Sequence, residues 1–230
     1  MMAIKETNKV VILAAGKPHS NMEDNKFKST YGASSVIGWM LRAVAFLEPE
    51  IHLVDGYNNS RGLRKNQPKI NFWHNAEWAS TGPVWSLLKV PFFANEAETS
   101  KVESLTITYS DIAFREEAVK KLLEKDTDIV VAVDTKWRKR YSGRTQEDII
   151  SCEKVTVFET QITRLGSDID PAHASAEFIG LAHFSHSAIK FIADLVSSDL
   201  DLLRTANLSS LIEILRTRGM RVTAVDIDGE

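Results

Sequence analysis

Cysteine is almost missing from this 230-residue chain, and long apolar runs are missing altogether. The single cysteine, Cys152, excludes an intramolecular disulfide and a zinc site built from several cysteines, and it fits a reducing compartment. No stretch approaches the roughly 18 apolar residues that a membrane-spanning helix needs. The N-terminal segment Met1–Asn8 is polar and lacks the apolar core of a secretory signal. These absences predict a cytoplasmic protein without a membrane partner.

Neither sign of charge dominates, since 28 Lys and Arg stand against 31 Asp and Glu for a net charge of -3. Bulk electrostatics therefore do not favour nucleic acid as a partner. A hydrophobic fraction of 43% and a charged fraction of 26% are ordinary for a globular protein of this length, which is enough to bury a sizeable core. No repeat or linker divides the chain, so residues 1–230 are predicted to form a single domain.

Apolar segments of strand length alternate with segments of helical periodicity. The predicted strands are Val10–Ala14, Ile51–Val54, Ile70–Trp73, Ser104–Tyr109, Ile129–Val133, Phe178–Phe184 and Val222–Ile227. The predicted helices are Val36–Phe46 (with Ser34 or Ser35 as N-cap), Val84–Val90, Ala113–Glu124, Ser187–Ser197 and Leu208–Arg218. The alternation predicts an α/β fold, Rossmann-like, with a mixed, mostly parallel sheet and helices on both faces. A polar β insert near residues 134–176, with a hairpin of Val155–Phe158 and Gln161–Leu165, is expected to interrupt it.

The first apolar run, Val10–Leu13, ends in the small residues Ala14, Ala15 and Gly16. Small residues let the backbone pass close to a ligand, and a turn after a buried strand is a common place for nucleotide phosphates. The alternative is a plain buried strand followed by a turn.

Asp111 follows the apolar strand that ends at Tyr109. Ligands of open parallel sheets bind beyond the carboxyl ends of the strands, and a carboxylate there is suited to Mg²⁺. The competing interpretation is that Ser110 or Asp111 caps the helix predicted at Ala113–Glu124.

Two polar segments are further candidates for ligand contacts. In and just after the segment from Asn75 to Gly82, Trp78 or Trp85 can stack on a base, and Asn75 or Thr81 can contact its edge. An Asx-turn with a core tryptophan is the simpler account. The second segment has five cations within nine residues and suits phosphate or phosphonate oxygens, unless it is a solvated loop. These cations are Lys136, Arg138, Lys139, Arg140 and Arg144.

These motifs together resemble the nucleotidyltransferases of the sugar-phosphate and cytidylyl type, whose fold is that of the nucleotide-diphospho-sugar transferases. Leu13–Gly16 resembles their Leu-Ala-Ala-Gly signature, and Tyr109–Asp111 resembles their metal-binding motif. Further matches are most similar to the cytidylyltransferase domains of phosphonate biosynthesis associated with phosphoenolpyruvate mutase, and they extend over nearly the whole chain. They include Gly56-Tyr57, Asn75 with Trp78, Thr81-Gly82, Val133-Asp134, Arg140-Tyr141, Gly143-Arg144, Glu153-Lys154 and Glu177–Leu181.

The resemblance implies a Mg²⁺-dependent enzyme that transfers CMP from CTP to a small phosphonate or phosphate acceptor and releases pyrophosphate. It implies phosphate neutralisation by Lys26, metal binding by Asp111 and Asp228, and a homodimer as one candidate assembly. The implied nucleotide contacts are Leu13, Ala14, Ala15, Gly16, Asn75, Thr81 and Gly82, and the implied acceptor contacts are Arg138, Arg140, Arg144, Lys154 and Glu177.

Two departures from the family pattern keep alternatives open. Pro18 and Ser20 replace the second Gly and the Arg of the extended signature, so Lys26, Lys28 or His19 would have to hold the triphosphate. The printed sequence also stops before the segment that carries the family's second metal ligand, which predicts a truncated chain or one domain of a longer polypeptide. The alternatives are a glycosyltransferase of the same fold and a non-catalytic nucleotide-binding domain.

Overall fold

The computed structural model describes residues 7–17, 30–31, 34–57, 60–67 and 69–228. The strands are β1 (Thr7–Ala14), β2 (Thr30–Tyr31), β3 (Ser34–Ser35), β4 (Glu50–Asp55), β5 (Ile70–His74), β6 (Val102–Tyr109), β7 (Ile129–Asp134), β8 (Lys154–Phe158), β9 (Gln161–Gly166), β10 (Ala176–Ser185) and β11 (Val222–Asp226). The α-helices are α1 (Val36–Val44), α2 (Arg61–Asn66), α3 (Pro83–Leu87), α4 (Glu96–Thr99), α5 (Glu116–Leu123), α6 (Trp137–Arg140), α7 (Gln146–Ser151), α8 (His186–Ser198), α9 (Leu200–Leu203) and α10 (Leu208–Thr217).

Nine strands form one mixed sheet in the order β5-β4-β1-β6-β10-β7-β11-β9-β8. Four of its pairings are parallel and five are antiparallel, so the prediction of a mixed sheet is confirmed, whereas the prediction of a mostly parallel sheet is not. The difference arises because β10 runs antiparallel between β6 and β7. Seven strands still run in the same direction, since β8 is also antiparallel to β10. The carboxyl ends of six of them share one edge of the sheet: β5, β4, β1, β6, β7 and β11.

Each face of the sheet is covered by helices because the central strands are apolar on both sides. Val11 and Leu13 of β1 pack into a core with residues of α3, α8 and α10. Val10, Ile12 and Ala14 pack into a second core with residues of α1 and α5. The predicted arrangement of helices on both faces is thus present. In the described part of the chain, no helix is long and apolar enough to cross a membrane.

Local signals place several helix boundaries. The Ser35 side chain accepts a hydrogen bond from the Gly38 amide at 3.0 Å, which confirms this residue as the N-cap of α1. Pro83 occupies the first turn of α3, where its missing N–H costs nothing. Two helix boundaries differ from the prediction by three residues: α5 begins at Glu116, after an N-cap at Arg115, rather than at residue 113, and α3 ends at Leu87 rather than at Val90.

The predicted β insert differs from the observed segment in two ways. It contains the short helices α6 and α7 as well as the β8–β9 hairpin. The hairpin also joins the main sheet, because β9 pairs with β11 and β8 pairs with the start of β10. Residues 134–176 therefore extend the sheet rather than standing apart from it.

Candidate active site

The shared carboxyl edge of the sheet collects most of the predicted site residues. The small-residue turn follows β1, Asn75 follows β5, Asp111 follows β6, and Asp228 lies just beyond β11. Glu177 is the second residue of the antiparallel strand β10 and therefore lies at the same edge. The strand order thus brings together residues that are far apart in the sequence.

The turn after β1 leaves open space beside Gly16. Leu13, Ala14 and Ala15 are buried, whereas Gly16 is exposed, and a Cβ built on Gly16 would have no atom within 4 Å. The turn is tied to the end of β4 by a 2.8 Å hydrogen bond from the Tyr57 amide to the Ala15 carbonyl. A ligand can therefore approach this backbone closely, as the predicted nucleotide contact requires.

Asp111 follows Ser110, whose backbone is bonded to that turn. The Ser110 amide donates a 3.1 Å hydrogen bond to the Leu13 carbonyl, which joins the two motifs. Asp111 itself is exposed and forms no hydrogen bond or ion pair with any residue that the structure describes. Because α5 begins only at Glu116, the capping alternative for Asp111 is wrong. The Ser110 hydroxyl is buried and finds no partner among the described residues.

The predicted second metal ligand, Asp228, lies apart from Asp111 in the sheet, and its role in metal binding stays a prediction. Asp228 lies 3.2 Å from Lys121 and 3.8 Å from Lys136, so its charge is balanced within the chain. Its strand is three positions from β6, which separates the strand ends by about 14 Å. No cluster of three metal-ligating side chains occurs in the described ranges. A single unpaired carboxylate such as Asp111 nevertheless fits Mg²⁺, which is often held by one or two carboxylates together with substrate phosphates.

Asn75 organises the turn after β5, as the Asx-turn account predicts. Its side-chain nitrogen donates to the hydroxyl groups of Thr81 (3.0 Å) and Ser86 (2.9 Å), and its oxygen accepts from the Glu77 amide (3.0 Å). Asn75 is fully buried. A contact between its amide and a base edge would require one of these bonds to open, so its predicted nucleotide role stays a prediction.

Gly82 packs against the segment before α10. Its amide donates to the Arg204 carbonyl at 2.8 Å, and a Cβ at this position would lie 2.3 Å from the Ala206 carbonyl oxygen. Only glycine fits without a backbone shift. This contact fixes the end of the loop that carries Thr81 and Gly82.

Glu77 is a loop residue that sequence reasoning did not select. Its carboxylate accepts hydrogen bonds from Trp85 (2.8 Å), Arg204 (3.0 Å) and Lys89 (3.3 Å). The bond from the Trp85 indole, followed by those from Arg204 and Lys89, lowers the pKa of Glu77 to about 2. The only sequence signal was its place between Asn75 and Trp78, so its partner Arg204, 127 residues away, could not be foreseen.

The predicted acceptor cations fall into two groups. Arg138 donates to the carbonyl groups of Ala174 (2.9 Å) and Pro171, and Arg140 lies 2.8 Å from the buried carboxylate of Asp134. Arg144 lies over the Tyr141 ring at 4.6 Å, is exposed, and forms no ion pair within the described ranges. Arg144 is therefore the cation that is available to an external anion.

Lys154 is fully buried at the end of α7. Its ammonium group donates to the carbonyl oxygens of Ile150 (2.7 Å) and Cys152 (2.8 Å), with Ile149 at 3.4 Å. Cations are favourable at a helix C-terminus, so these carbonyls account for a buried lysine without an acidic partner. An acceptor contact by Lys154 would require rearrangement of this cap and stays a prediction.

Two half-buried glutamates, Glu177 and Glu153, complete this part of the site. Burial raises the pKa of Glu177, and the nearby Asp134 adds to the rise, while the Tyr141 hydroxyl donates a 2.5 Å hydrogen bond to its carboxylate. Burial also raises the pKa of Glu153, which accepts a 2.5 Å hydrogen bond from Ser209. This part of the site therefore presents the Glu177 carboxyl group near Arg144, a pattern that suits an acceptor with hydrogen-bond donors as well as an anionic group. Lys26, His19 and Lys28 lie outside the described residues, as do Pro18 and Ser20.

Comparison with known proteins tests the resemblance. No family model matches the sequence. The CTP:phosphoglutamine cytidylyltransferase of Campylobacter jejuni is 25% identical over 190 residues, covering 78% of this chain and 75% of that protein. The inositol-1-phosphate CTP transferase of T. maritima has a TM-score of 0.70 at 17% identity, over 96% of this chain and 85% of that one. A putative glucose-1-phosphate thymidylyltransferase of Bacillus anthracis has a TM-score of 0.69 at 13% identity, over 97% and 88%.

The structural neighbours share the nucleotide-diphospho-sugar transferase fold with this chain. All three relatives are named as enzymes that transfer nucleotides, in agreement with the prediction of an enzyme of this class. Together they confirm the chain's resemblance to the nucleotidyltransferase superfamily of the sugar-phosphate and cytidylyl type.

Proposed function

We propose that this protein transfers CMP from CTP to a small phosphorylated or phosphonylated acceptor and releases pyrophosphate. The observation that carries the proposal is the exposed carboxylate of Asp111, which has no partner among the described residues. The amide of its neighbour Ser110 is hydrogen-bonded to Leu13, at the small-residue turn of β1. The names of the relatives support CTP and a phosphate-bearing acceptor. A phosphonate acceptor rests on the motif resemblance alone.

In the proposed reaction, an oxygen of the acceptor attacks the α-phosphorus of CTP. One P–O bond forms, the bond to the β-phosphate oxygen breaks, and the electron pair leaves with pyrophosphate. No covalent intermediate with the protein is needed, so positioning and charge stabilisation supply the catalysis. Ala14, Ala15 and Gly16 would bind the phosphates through the backbone, and Lys26 would neutralise phosphate charge.

Asp111 is the residue that would hold Mg²⁺, and Arg144 would bind the acceptor anion. The ion would neutralise charge on phosphate oxygens. Glu177 would accept a hydrogen bond from an ammonium or hydroxyl group of the acceptor. Its carboxylate already accepts one bond from Tyr141 and has further lone pairs for a second donor.

The test measures pyrophosphate release with Mg²⁺, each of the four nucleoside triphosphates and a panel of small phosphomonoesters and phosphonates. Activity with CTP and one acceptor is expected, and Asp111→Ala should abolish it while the protein stays folded. Asp126→Ala, an exposed aspartate before β7 at the opposite edge of the sheet, is the matched control and should retain activity.

Other outcomes would separate the competing functions. Full activity of Asp111→Ala would overturn the assignment of this residue. Release of a nucleoside diphosphate from a sugar nucleotide would indicate a glycosyltransferase. Binding of CTP without turnover for any acceptor would indicate a non-catalytic nucleotide-binding domain.

A further inference from the structure

We propose that Tyr57, together with Trp78, stacks on the nucleobase of the bound nucleotide. The proposal rests on the proposed nucleotide-transferring function and adds a specificity-determining contact to it. The first observation is that the aromatic ring of Tyr57 is exposed just after β4. In the described part of the chain the exposed large aromatic side chains are Phe46, Tyr57 and Phe158, and Tyr57 alone among them follows a strand at the site edge.

The backbone fixes Tyr57 beside the nucleotide turn. Its amide donates to the Ala15 carbonyl at 2.8 Å. The preceding residue must be glycine, because a Cβ on Gly56 would lie 2.7 Å from the Ala15 oxygen and 2.8 Å from the Trp78 Cβ. The end of β4, the turn of β1 and the Asn75–Gly82 loop are therefore in contact at one point, with Tyr57 above it.

The two rings form an open corner. Their centroids are 5.1 Å apart and their planes meet at 78°, an edge-to-face arrangement. The Tyr57 side chain is 43% exposed, so part of its ring is available to a planar ligand. The Lys17 ammonium lies over one face of the Tyr57 ring, 5.9 Å from its centroid, which places a cation for a phosphate on that side and leaves the other face for the base.

The strand order indicates which part of the substrates meets this corner. Arg144 and Glu177, the proposed acceptor contacts, lie by β7 and β10, and Asp111 follows β6. Tyr57 follows β4, which lies on the opposite side of β1 from β6. Four strand positions, or about 19 Å, separate β4 from β7. If the triphosphate lies between the β1 turn and Asp111, the acceptor is on one side and the base is on the other. The base is then the planar group that can reach Tyr57.

The test compares ligands with and without a base. Isothermal titration calorimetry is run with CTP and with inorganic tripolyphosphate on the wild type, Tyr57→Ala and the matched control Tyr57→Phe, which keeps the ring. Because Tyr57→Ala lacks the base–aromatic stack, it should bind CTP at least about fivefold more weakly than the wild type. Tripolyphosphate binding should not change, and Tyr57→Phe should bind CTP like the wild type.

Equal CTP affinity of Tyr57→Ala and the wild type would overturn the stacking contact while leaving the proposed function intact. Equal losses for CTP and tripolyphosphate would overturn it too, because they would indicate a phosphate or folding effect. If the wild type neither binds CTP nor releases pyrophosphate, the proposed function fails, and the stacking contact fails with it. Should Tyr57→Ala not fold, Tyr57→Leu removes the aromatic face while keeping apolar bulk, and the same comparison decides.

Discussion

The guanidinium group of Arg140 lies 2.8 Å from the carboxylate of Asp134, whose side chain is only 1% exposed at the end of β7. Asp134 is also paired in register with Glu177 of β10, so two carboxyl groups are adjacent on neighbouring strands. The positive charge of Arg140 therefore lies beside both carboxyl groups. The family resemblance implied that Arg140 contacts the acceptor, but in the structure its guanidinium group pairs with Asp134.

Arg140→Ala should therefore destabilise the fold. Removal of one partner leaves a buried carboxylate poorly compensated, and because Arg140 is about half exposed we expect a loss of about 1–3 kcal/mol in the free energy of unfolding. Urea denaturation measures it. Arg144→Ala is the matched control and should change stability by no more than about 0.5 kcal/mol. Equal stability of the two variants would contradict the structural role of Arg140.

Arg144→Ala should instead weaken acceptor use. The exposed guanidinium of Arg144, which has no ion-pair partner among the described residues, can make a charge-assisted bond to an acceptor anion, and its loss should raise the acceptor KM roughly tenfold or more. Steady-state kinetics at saturating CTP gives this value. Arg138→Ala should leave KM unchanged, because that guanidinium is bound to backbone carbonyls. A similar rise in KM for Arg138→Ala would show that both arginines contact the acceptor.

The arginines illustrate which features of the fold and the site can be predicted from the sequence. Periodicity located the buried strands, because a strand covered on both faces must be apolar throughout. It also placed Asp111 at a strand end. It could not tell Arg138 and Arg140 from Arg144, because what separates them is the identity of their partners. Arg138 is held by a carbonyl 36 residues away, and no local pattern encodes that contact.

Lys154 and Asn75 mark the same limit. Both are polar residues at motif positions, and both are completely buried with their polar atoms bonded inside the chain. The antiparallel direction of β10 was equally invisible, since an apolar strand has the same composition in either direction. Strand direction is decided by the connections, which are set by packing rather than by local propensity.

Glu77→Gln should raise the KM for CTP with little change in kcat. The carboxylate joins the Asn75–Gly82 loop to Trp85, Lys89 and Arg204, and the neutral amide keeps the shape while removing the charge. Because the pKa of Glu77 is lowered to about 2, the wild-type contact should persist at every pH used for assays. Glu98→Gln, in an exposed pair with Lys101, is the control. An unchanged KM for CTP in Glu77→Gln would show that the loop is held without this charge.

Acid should destabilise the protein through two histidines in the sheet. Burial lowers the pKa of His52 and of His183 to about 4, against 6.5 for a free histidine. Both are therefore neutral when folded, whereas the unfolded chain takes up protons as the pH falls below 6.5. Their contribution to stability is complete above pH 6.5 and is lost progressively between pH 6.5 and pH 4.

The measurement is the free energy of unfolding at several pH values for the wild type, His52→Gln and His183→Gln. Each variant should lose less stability than the wild type between pH 6.5 and pH 4. Partly buried carboxyl groups such as Glu153, whose pKa is raised by burial, act in the opposite direction. They are present in all variants, so the difference between variant and wild type isolates the histidine. His173→Gln is the control, because its side chain is 79% exposed, and its profile should follow the wild type. Parallel profiles for all three variants would mean that neither buried histidine controls the acid sensitivity.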